Sequence, residues 1–313
     1  MLRFILGRLL YGLLTVGVIA TATSAGMHAV PGDPLLDARA VPPEIRRNLE
    51  ARYGLDQPLP RQYLRWLGNM ARGDFGVSFT QQNREVNDII REHFPVSALL
   101  GVLAIGFAAL GGVFWGVITA RTAGRWPDAL AMFLVVLCIS VPGFVLAALA
   151  QLAVLRLNAW AGASLLPVAG WGGIAHMLVP AMVLGLGTMA FLTRLMRASM
   201  LEVRGADYVR TARAKGLSGA RILLRHQLPN AILPVITVLG PAIATIATGG
   251  FVVELVFAIP GLGRYFVQAV QQLDYTVIMG TTVFYGAFLV LMVIVVDIVY
   301  GLLDPRIRVA QAG

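Results

Sequence analysis

Six stretches of this chain, 9–30, 96–120, 129–155, 174–193, 229–253 and 277–303, each carry at most one Asp, Glu, Lys or Arg. About 20 apolar residues in a helix cross the hydrocarbon core of a bilayer. In lipid a backbone must satisfy its own N–H and C=O groups, so runs of this length have to be helical. Hydrophobic residues make up 58% of the chain and charged ones 13%, which points to lipid as its main solvent. The expectation is an all-α membrane protein with six transmembrane helices.

Between the runs the chain is punctuated by polar segments. Arg3 and Arg8 precede the first run. That run is too long for an ordinary signal-peptide core, and Thr23-Ser24-Ala25 resembles a cleavage site only loosely, so residues 1–30 read as a tail and a retained first span. Residues 31–95 form a polar insertion with nine basic and nine acidic side chains. Within it Ile45, Leu49 and Tyr53, then Tyr63, Leu64, Leu67 and Met70, then Val86, Ile89 and Ile90 recur at helical spacing, predicting three short amphipathic helices. Asp74-Phe75-Gly76 copies the kinase magnesium tripeptide without the motifs that accompany it there, and Gly73-Asp74-Phe75-Gly76 reads as a tight turn. The remainder, 96–313, reads as the membrane core. Gly112 and Gly116 permit close helix contact, and Pro142-Gly143 predicts a kink in the third span that either lines a pathway or is simply tolerated. Trp160 and Trp171 suit a membrane interface. Pro234, Pro241 and Gly249-Gly250 should bend the fifth span.

Charge orients the whole. Segments assigned to the inner face, including the loop 198–228 and both termini, hold fourteen Arg or Lys against four acids, whereas the large insertion is neutral. Six spans with both ends in the cytoplasm satisfy the positive-inside rule. The basic residues cluster at span ends and are not interleaved with aromatics, which argues against nucleic acid as a partner.

No nucleophile elbow, zinc-protease motif or phosphate-binding loop occurs, and the four histidines are scattered. No catalytic residue, metal site or cofactor held by this chain is therefore expected. The single cysteine, Cys138, lies in an apolar run. Asp297 is the one carboxylate inside a predicted span and reads as a helix-end acid or a proton relay. Glu254 reads as a gate or substrate contact, or as a partner of Arg264. Pro260, Gly261, Gly263 and Asp274 belong to the same polar, turn-rich outer segment, a candidate gate or substrate path.

One polar stretch lies between two spans, Asp207 to Pro229, and reads DYVRTARAKGLSGARILLRHQLP. Asp207 can cap a short helix, Arg213 and Lys215 suit its negative end, and Gly216 supplies a left-handed stop. Ser218 can cap a second helix running toward Pro229. Two short helices at an angle form a knob that fits a partner's groove.

The stretch resembles the coupling loop of binding-protein-dependent ABC importer permeases. Its pattern there is Glu-Ala-Ala, three residues, Gly, nine residues, Ile-x-Leu-Pro. Here those places hold Arg210, Thr211 and Ala212, then Gly216, then His226, Gln227, Leu228 and Pro229. Arg210, Thr211 and His226 depart from the general pattern, yet Arg210 through Leu217 is similar to the form used by the dipeptide, oligopeptide and nickel branch. Pro31-Gly32-Asp33-Pro34, Gly73 through Gly76, Phe94 through Ala98, Gly240-Pro241-Ala242, Pro260 through Gly263, Asp274-Tyr275 and Asp304 through Arg308 extend the resemblance over most of the chain, toward the B-type permease of an oligopeptide importer.

The resemblance implies a type I ABC importer permease fold in a bacterial inner membrane. It implies a heterodimer with a C-type permease, two ATPase subunits that bind ATP and magnesium, and a periplasmic or lipid-anchored protein that delivers peptide. Transport would proceed by alternating access. Asp207, Arg210, Thr211, Ala212, Arg213, Gly216, His226, Leu228 and Pro229 would form the ATPase-coupling loop. The insertion would dock the delivery protein or cap the structure. Dipeptides or nickel complexes are the alternative substrates within the class. A self-contained ion-coupled transporter is the alternative outside it, disfavoured by nearly uncharged spans.

Overall fold

The computed structural model describes residues 2–29, 56–81 and 84–303, with side chains throughout except at 2–5, 244–245, 247–249 and 297–303. The predicted helix at Ile45, Leu49 and Tyr53, the segments Pro31–Pro34 and Asp304–Arg308, and the side chain of Asp297 lie outside the described residues. What is described is helical: α1 (Leu2–Ala29), α2 (Leu59–Met70), α3 (Val86–Arg121), α4 (Trp126–Ser140), α5 (Gly143–Ala161), α6 (Ile174–Arg204), α7 (Asp207–Ala214), α8 (Gly219–Ile222), a π turn (Leu223–Gln227), α9 (Leu228–Ala231), α10 (Leu233–Gly249), α11 (Phe251–Val256), α12 (Leu262–Gln272) and α13 (Tyr275–Leu303). Five of these helices are long and apolar enough to cross a membrane. A sixth span results if Gly219–Ala231 and Leu233–Ile243, bent 47° from each other, count as one.

Several boundaries differ from expectation, each for a local reason. The helix of the second span begins before Val96. Helix α3 runs from Val86 straight through Pro95, and the expected third amphipathic helix forms its opening turns. Proline removes one hydrogen bond there, while Val86 and Ile89 are fully buried and hold the N-terminal turns in place. The third span, expected at 129–155 with a kink at Pro142-Gly143, is two helices separated by extended Val141 and by Pro142. The fourth continues past Thr193 to Arg204 because no breaker intervenes before Gly205, and Met196, Ser199 and Met200 remain buried along it. The fifth, expected to start at Pro229, is preceded by helical turns from Gly219 onward.

The chain divides into two compact units, Met1–Ser97 with Pro260–Ile294, and Ala98–Ile259 with Val295–Gly313. The first is organised by two side chains. In the predicted turn, Gly73 and Gly76 take positive φ. The Gly76 N–H donates to Asp74 Oδ1 at 2.8 Å, while Asn87 accepts from the Phe75 N–H at 2.9 Å and donates to the Gly73 carbonyl at 2.6 Å. The turn is thereby fastened to α3. Asp274 lies at the start of α13, where its Oδ1 accepts from the Val277 N–H at 3.2 Å in N-cap fashion. The same carboxylate accepts from the Ser78 hydroxyl, from the Phe79 and Thr80 N–H groups and from the Thr80 hydroxyl.

The second unit packs by close helix approach. A Cβ added at Gly112 would lie 2.5 Å from Leu192 Cβ, and one at Gly116 would lie 2.5 Å from Met196 Cβ. Side-chain-free ridges on α3 thus let α6 settle directly against its backbone. Around this seam Ala120, Leu192, Met196, Met200, Ala231 and Val235 form a buried cluster. Gly116→Val forces that seam apart, at about 1–3 kcal/mol. The expected outcome is a lower melting temperature of the detergent-solubilised protein by intrinsic fluorescence. Gly106→Ala, with nothing within 4 Å of the new methyl, should leave the melt unchanged or raise it.

Candidate functional site

The polar stretch after α6 folds into a small module. Gly205 closes α6, Ala206 turns extended, and α7 begins at Asp207. Val209 and Ala212 share one face of α7 by their i,i+3 spacing, and both are buried with Ile222 of α8 against Val203 and Leu217. At the end of α7, Gly216 adopts φ +75°. The Leu217 N–H returns to the Ala212 carbonyl at 3.3 Å and the Gly216 N–H to the Arg213 carbonyl at 2.9 Å, the paired bonds of a Schellman stop. A Cβ at Gly216 would meet open space, so the glycine serves backbone conformation alone.

Helix α8 lasts one turn before the chain widens into the π turn, in which the Leu228 N–H reaches the Leu223 carbonyl. Pro229 has no N–H for a regular α turn and would crowd the carbonyl four residues back, and the wider turn falls just ahead of it. Gln227 is buried, and Leu223 and Leu228 pack on the Leu192–Met196–Met200 cluster. The module is thus attached to α6 at two places, through Val203 and through that cluster.

The predicted site residues therefore separate into two sets. Ala212 is 4% exposed and packs inward with Val209, so it shapes the module and offers no contact surface. Leu228 is half-buried on the helix cluster, and His226, also half-buried, accepts through its carbonyl from the Asn230 side chain at 2.8 Å. Asp207, Tyr208, Arg210, Thr211, Arg213, Lys215, Gly216, Arg221, Arg225 and Pro229 are exposed. Asp207 does not cap α7 as expected. Ala206 occupies the cap, and the Asp207 carboxylate instead sits 3.5 Å from Arg210 in an exposed pair, an arrangement of little energetic weight. Ser218 does stand at the N-cap of α8 but makes no side-chain capping bond. Apart from Asp207 and Glu202, every charge from Glu202 to Arg225 is positive.

The second predicted group, Glu254, Pro260, Gly261, Gly263 and Asp274, is placed differently. Glu254 is 2% exposed in α11, with its Oε1 beside Gly250. The Pro260 carbonyl lies 2.9 Å from His93 Nδ1, Gly261 precedes α12, and the next N–H, of Leu262, donates to Ser97 Oγ at 2.9 Å. Gly263 is buried in the first turn of α12. Asp274 is 1% exposed with its oxygens engaged by four residues, Ser78, Phe79, Thr80 and Val277. Among the described residues, no group of three His, Cys, Asp or Glu side chains is placed to hold a metal.

Sequence reading missed a third feature. Asp128, 5% exposed in the first turn of α4, receives a two-pronged contact from Arg197 of α6, Nε to Oδ1 and Nη2 to Oδ2, both at 2.7 Å. The Gly124 N–H adds a third bond at 3.0 Å. The available signal was that Asp128 is one of only four acids among the segments assigned to the basic face.

Multiple apolar helices in an all-helical fold define a multi-pass membrane component. The chain belongs to the family of binding-protein-dependent transport system inner membrane components, whose model matches residues 112–309, while the N-terminal model of the same membrane components matches 1–101. It is similar to the dipeptide transport system permease protein DppB of Bacillus subtilis (strain 168), at 45% identity over 100% of both chains. The oligopeptide transport system permease protein OppB of Haemophilus influenzae is 42% identical, and that of Escherichia coli (strain K12) 39%, each over 98% of this chain and 100% of its own. Among solved structures, an inward-facing MetNI methionine ABC transporter covers 67% of this chain and 92% of its own at 16% identity, with a TM-score of 0.48. The chain is a non-catalytic permease subunit.

Two outcomes follow from the geometry. Gly216→Ala should cost about 1–2 kcal/mol through the left-handed backbone, read as faster hydrogen exchange at Leu217. Asp274→Ala removes the acceptor shared by the Ser78 to Thr80 segment and the start of α13, with an expected cost of about 3 kcal/mol or more. Limited proteolysis within 71–85 should then become faster.

Proposed function

We propose that this chain is one of the two membrane permeases of an ATP-driven, binding-protein-dependent importer of oligopeptides in a bacterial inner membrane. The observation that carries the reading is the module Asp207–Gln227. Its inner face is packed onto α6, and its outer face presents Tyr208, Arg210, Thr211, Arg213 and Lys215, all exposed among the described residues. A membrane component without a phosphate-binding loop needs its energy from elsewhere, and a rigid basic knob attached twice to one long helix is suited to receive it.

In this reading the module faces the cytoplasm, as the positive-inside rule requires, and both termini share that side. Two ATPase subunits hold ATP and magnesium, one docking on this module and the other on a C-type permease partner. A periplasmic or lipid-anchored binding protein delivers substrate, with residues 31–95 on the side where it docks. ATP-driven closure of the ATPases moves the modules, and the spans alternate between inward and outward openings. The groups at Asp274, Pro260, Gly261 and Gly263 act as the frame of the outer segment, with Glu254 a buried acid of the gate region. The full-length 45% identity to a dipeptide permease favours a second reading, with dipeptides as substrate.

Arg210→Glu with Arg213→Glu alters exposed side chains only. ATPase copurification with the intact complex is expected to fall at least tenfold while membrane insertion and melting temperature hold. Unchanged copurification sinks the docking assignment. Uptake of peptides of graded length by the reconstituted complex decides substrate size: transport confined to two residues replaces oligopeptides with dipeptides.

A further inference from the structure

We infer that the Asp128–Arg197 fork is a positioning device for transport, locking the start of α4 to α6 so that displacement of the Asp207–Gln227 module is passed to both helices together. The inference rests on the reading that this module receives the ATPase stroke.

Arg197 lies seven residues before the end of α6, about 10 Å along its axis, and α6 carries the module. The side-chain packing of α6 described above is apolar: Leu192 and Met196 against the glycines of α3, and Met200 in the cluster with Ala231 and Val235. Apolar helix contacts in a membrane resist separation but specify register weakly, because lipid tails are as apolar as leucine. The fork differs in kind. Two parallel N–H···O bonds fix a guanidinium and a carboxylate in both rotation and translation. The third bond, from Gly124, ties the same carboxylate to the turn between α3 and α4.

Opening the fork would leave a carboxylate that is 5% exposed without its partner, which is strongly unfavourable. The two helices therefore stay in register while the module moves. Displacement is then taken up where helical hydrogen bonding is already interrupted, at Val141-Pro142 between α4 and α5 and at the π turn. Asp128 and Arg197 touch neither substrate nor nucleotide in this scheme. They set how much of the stroke reaches α4.

The test is the intact importer, with both permeases and both ATPases, reconstituted in lipid vesicles with its binding protein. Peptide uptake and ATP hydrolysis are measured in the same vesicles. Asp128→Asn is expected to assemble and hydrolyse ATP within twofold of wild type, with peptide moved per ATP reduced at least tenfold. Asp128→Glu, which keeps the charge on a longer arm, should give an intermediate ratio, and Asp128→Arg with Arg197→Asp should recover a third or more of it. Hydrolysis and uptake falling in the same proportion overturns the inference, as does a ratio within twofold of wild type. Failure of all three variants, the charge exchange included, to assemble also overturns it, since the pair would then serve folding alone. Absence of uptake by wild type overturns the proposed function and the inference with it, whereas wild-type uptake beside an unchanged ratio in Asp128→Asn overturns the inference alone.

Discussion

A peptide group in hydrocarbon has no water to bond to, and the consequences of that deprivation run through the structure. Long helices are its simplest answer. The informative places are those where helices stop, because each stop frees carbonyls and N–H groups that must be satisfied again. At the end of α11, Ala258 takes a left-handed φ of 54°, returning the Ile259 N–H to the Glu254 carbonyl at 2.8 Å. Gln151 of α5 donates to the freed Val256 carbonyl at 3.0 Å. Asn158 likewise accepts from the Leu165 and Leu166 N–H groups and donates to the Leu166 carbonyl, folding the loop that follows α5. Gln151 and Asn158 are thus spent on repairing interrupted backbone.

That division of labour explains why one short module can be both rigid and available. Its stability comes from Val209, Ala212, Leu217 and Ile222 packing inward and from the backbone bonds around Gly216. Its exposed side chains bear little of that load, so their chemistry is free to match a partner. Residues that define the motif in the sequence, Ala212, Gly216 and Leu228, belong mostly to the mould. The residues between them form the surface.

Spans were legible because lipid imposes one strong periodicity-free signal, uninterrupted apolarity. Boundaries were not, since proline tells where a hydrogen bond is lost and not whether burial of neighbours such as Val86 and Ile89 outweighs the loss. The left-handed stop at Gly216 was readable from a glycine following Arg and Lys. The π turn was not, because it depends on how Leu223 and Leu228 reach a cluster formed by residues of α3 and α6. Asp207 was misread as a cap because its type suits that position, while the extended backbone fell one residue earlier. The pairing of Asp128 with Arg197 links positions 69 apart and carries no local signature. Asp274 was noticed as a polar residue in a turn-rich segment, and its partners near residue 80 could only be found in three dimensions.

The span of that last contact bears on how the protein is made. Ser78 and Asp274 are 196 residues apart in the chain. At the roughly 5–20 residues per second of protein synthesis, the Ser78–Thr80 segment exists for about 10–40 s before its acceptor has been polymerised. Throughout that interval the Phe79 and Thr80 N–H groups and the Ser78 and Thr80 hydroxyls lack the carboxylate they later donate to. The first unit is therefore completed only when the start of α13 is made, and a chain halted before residue 274 leaves the Ser78–Thr80 segment unfinished however well the preceding spans have inserted.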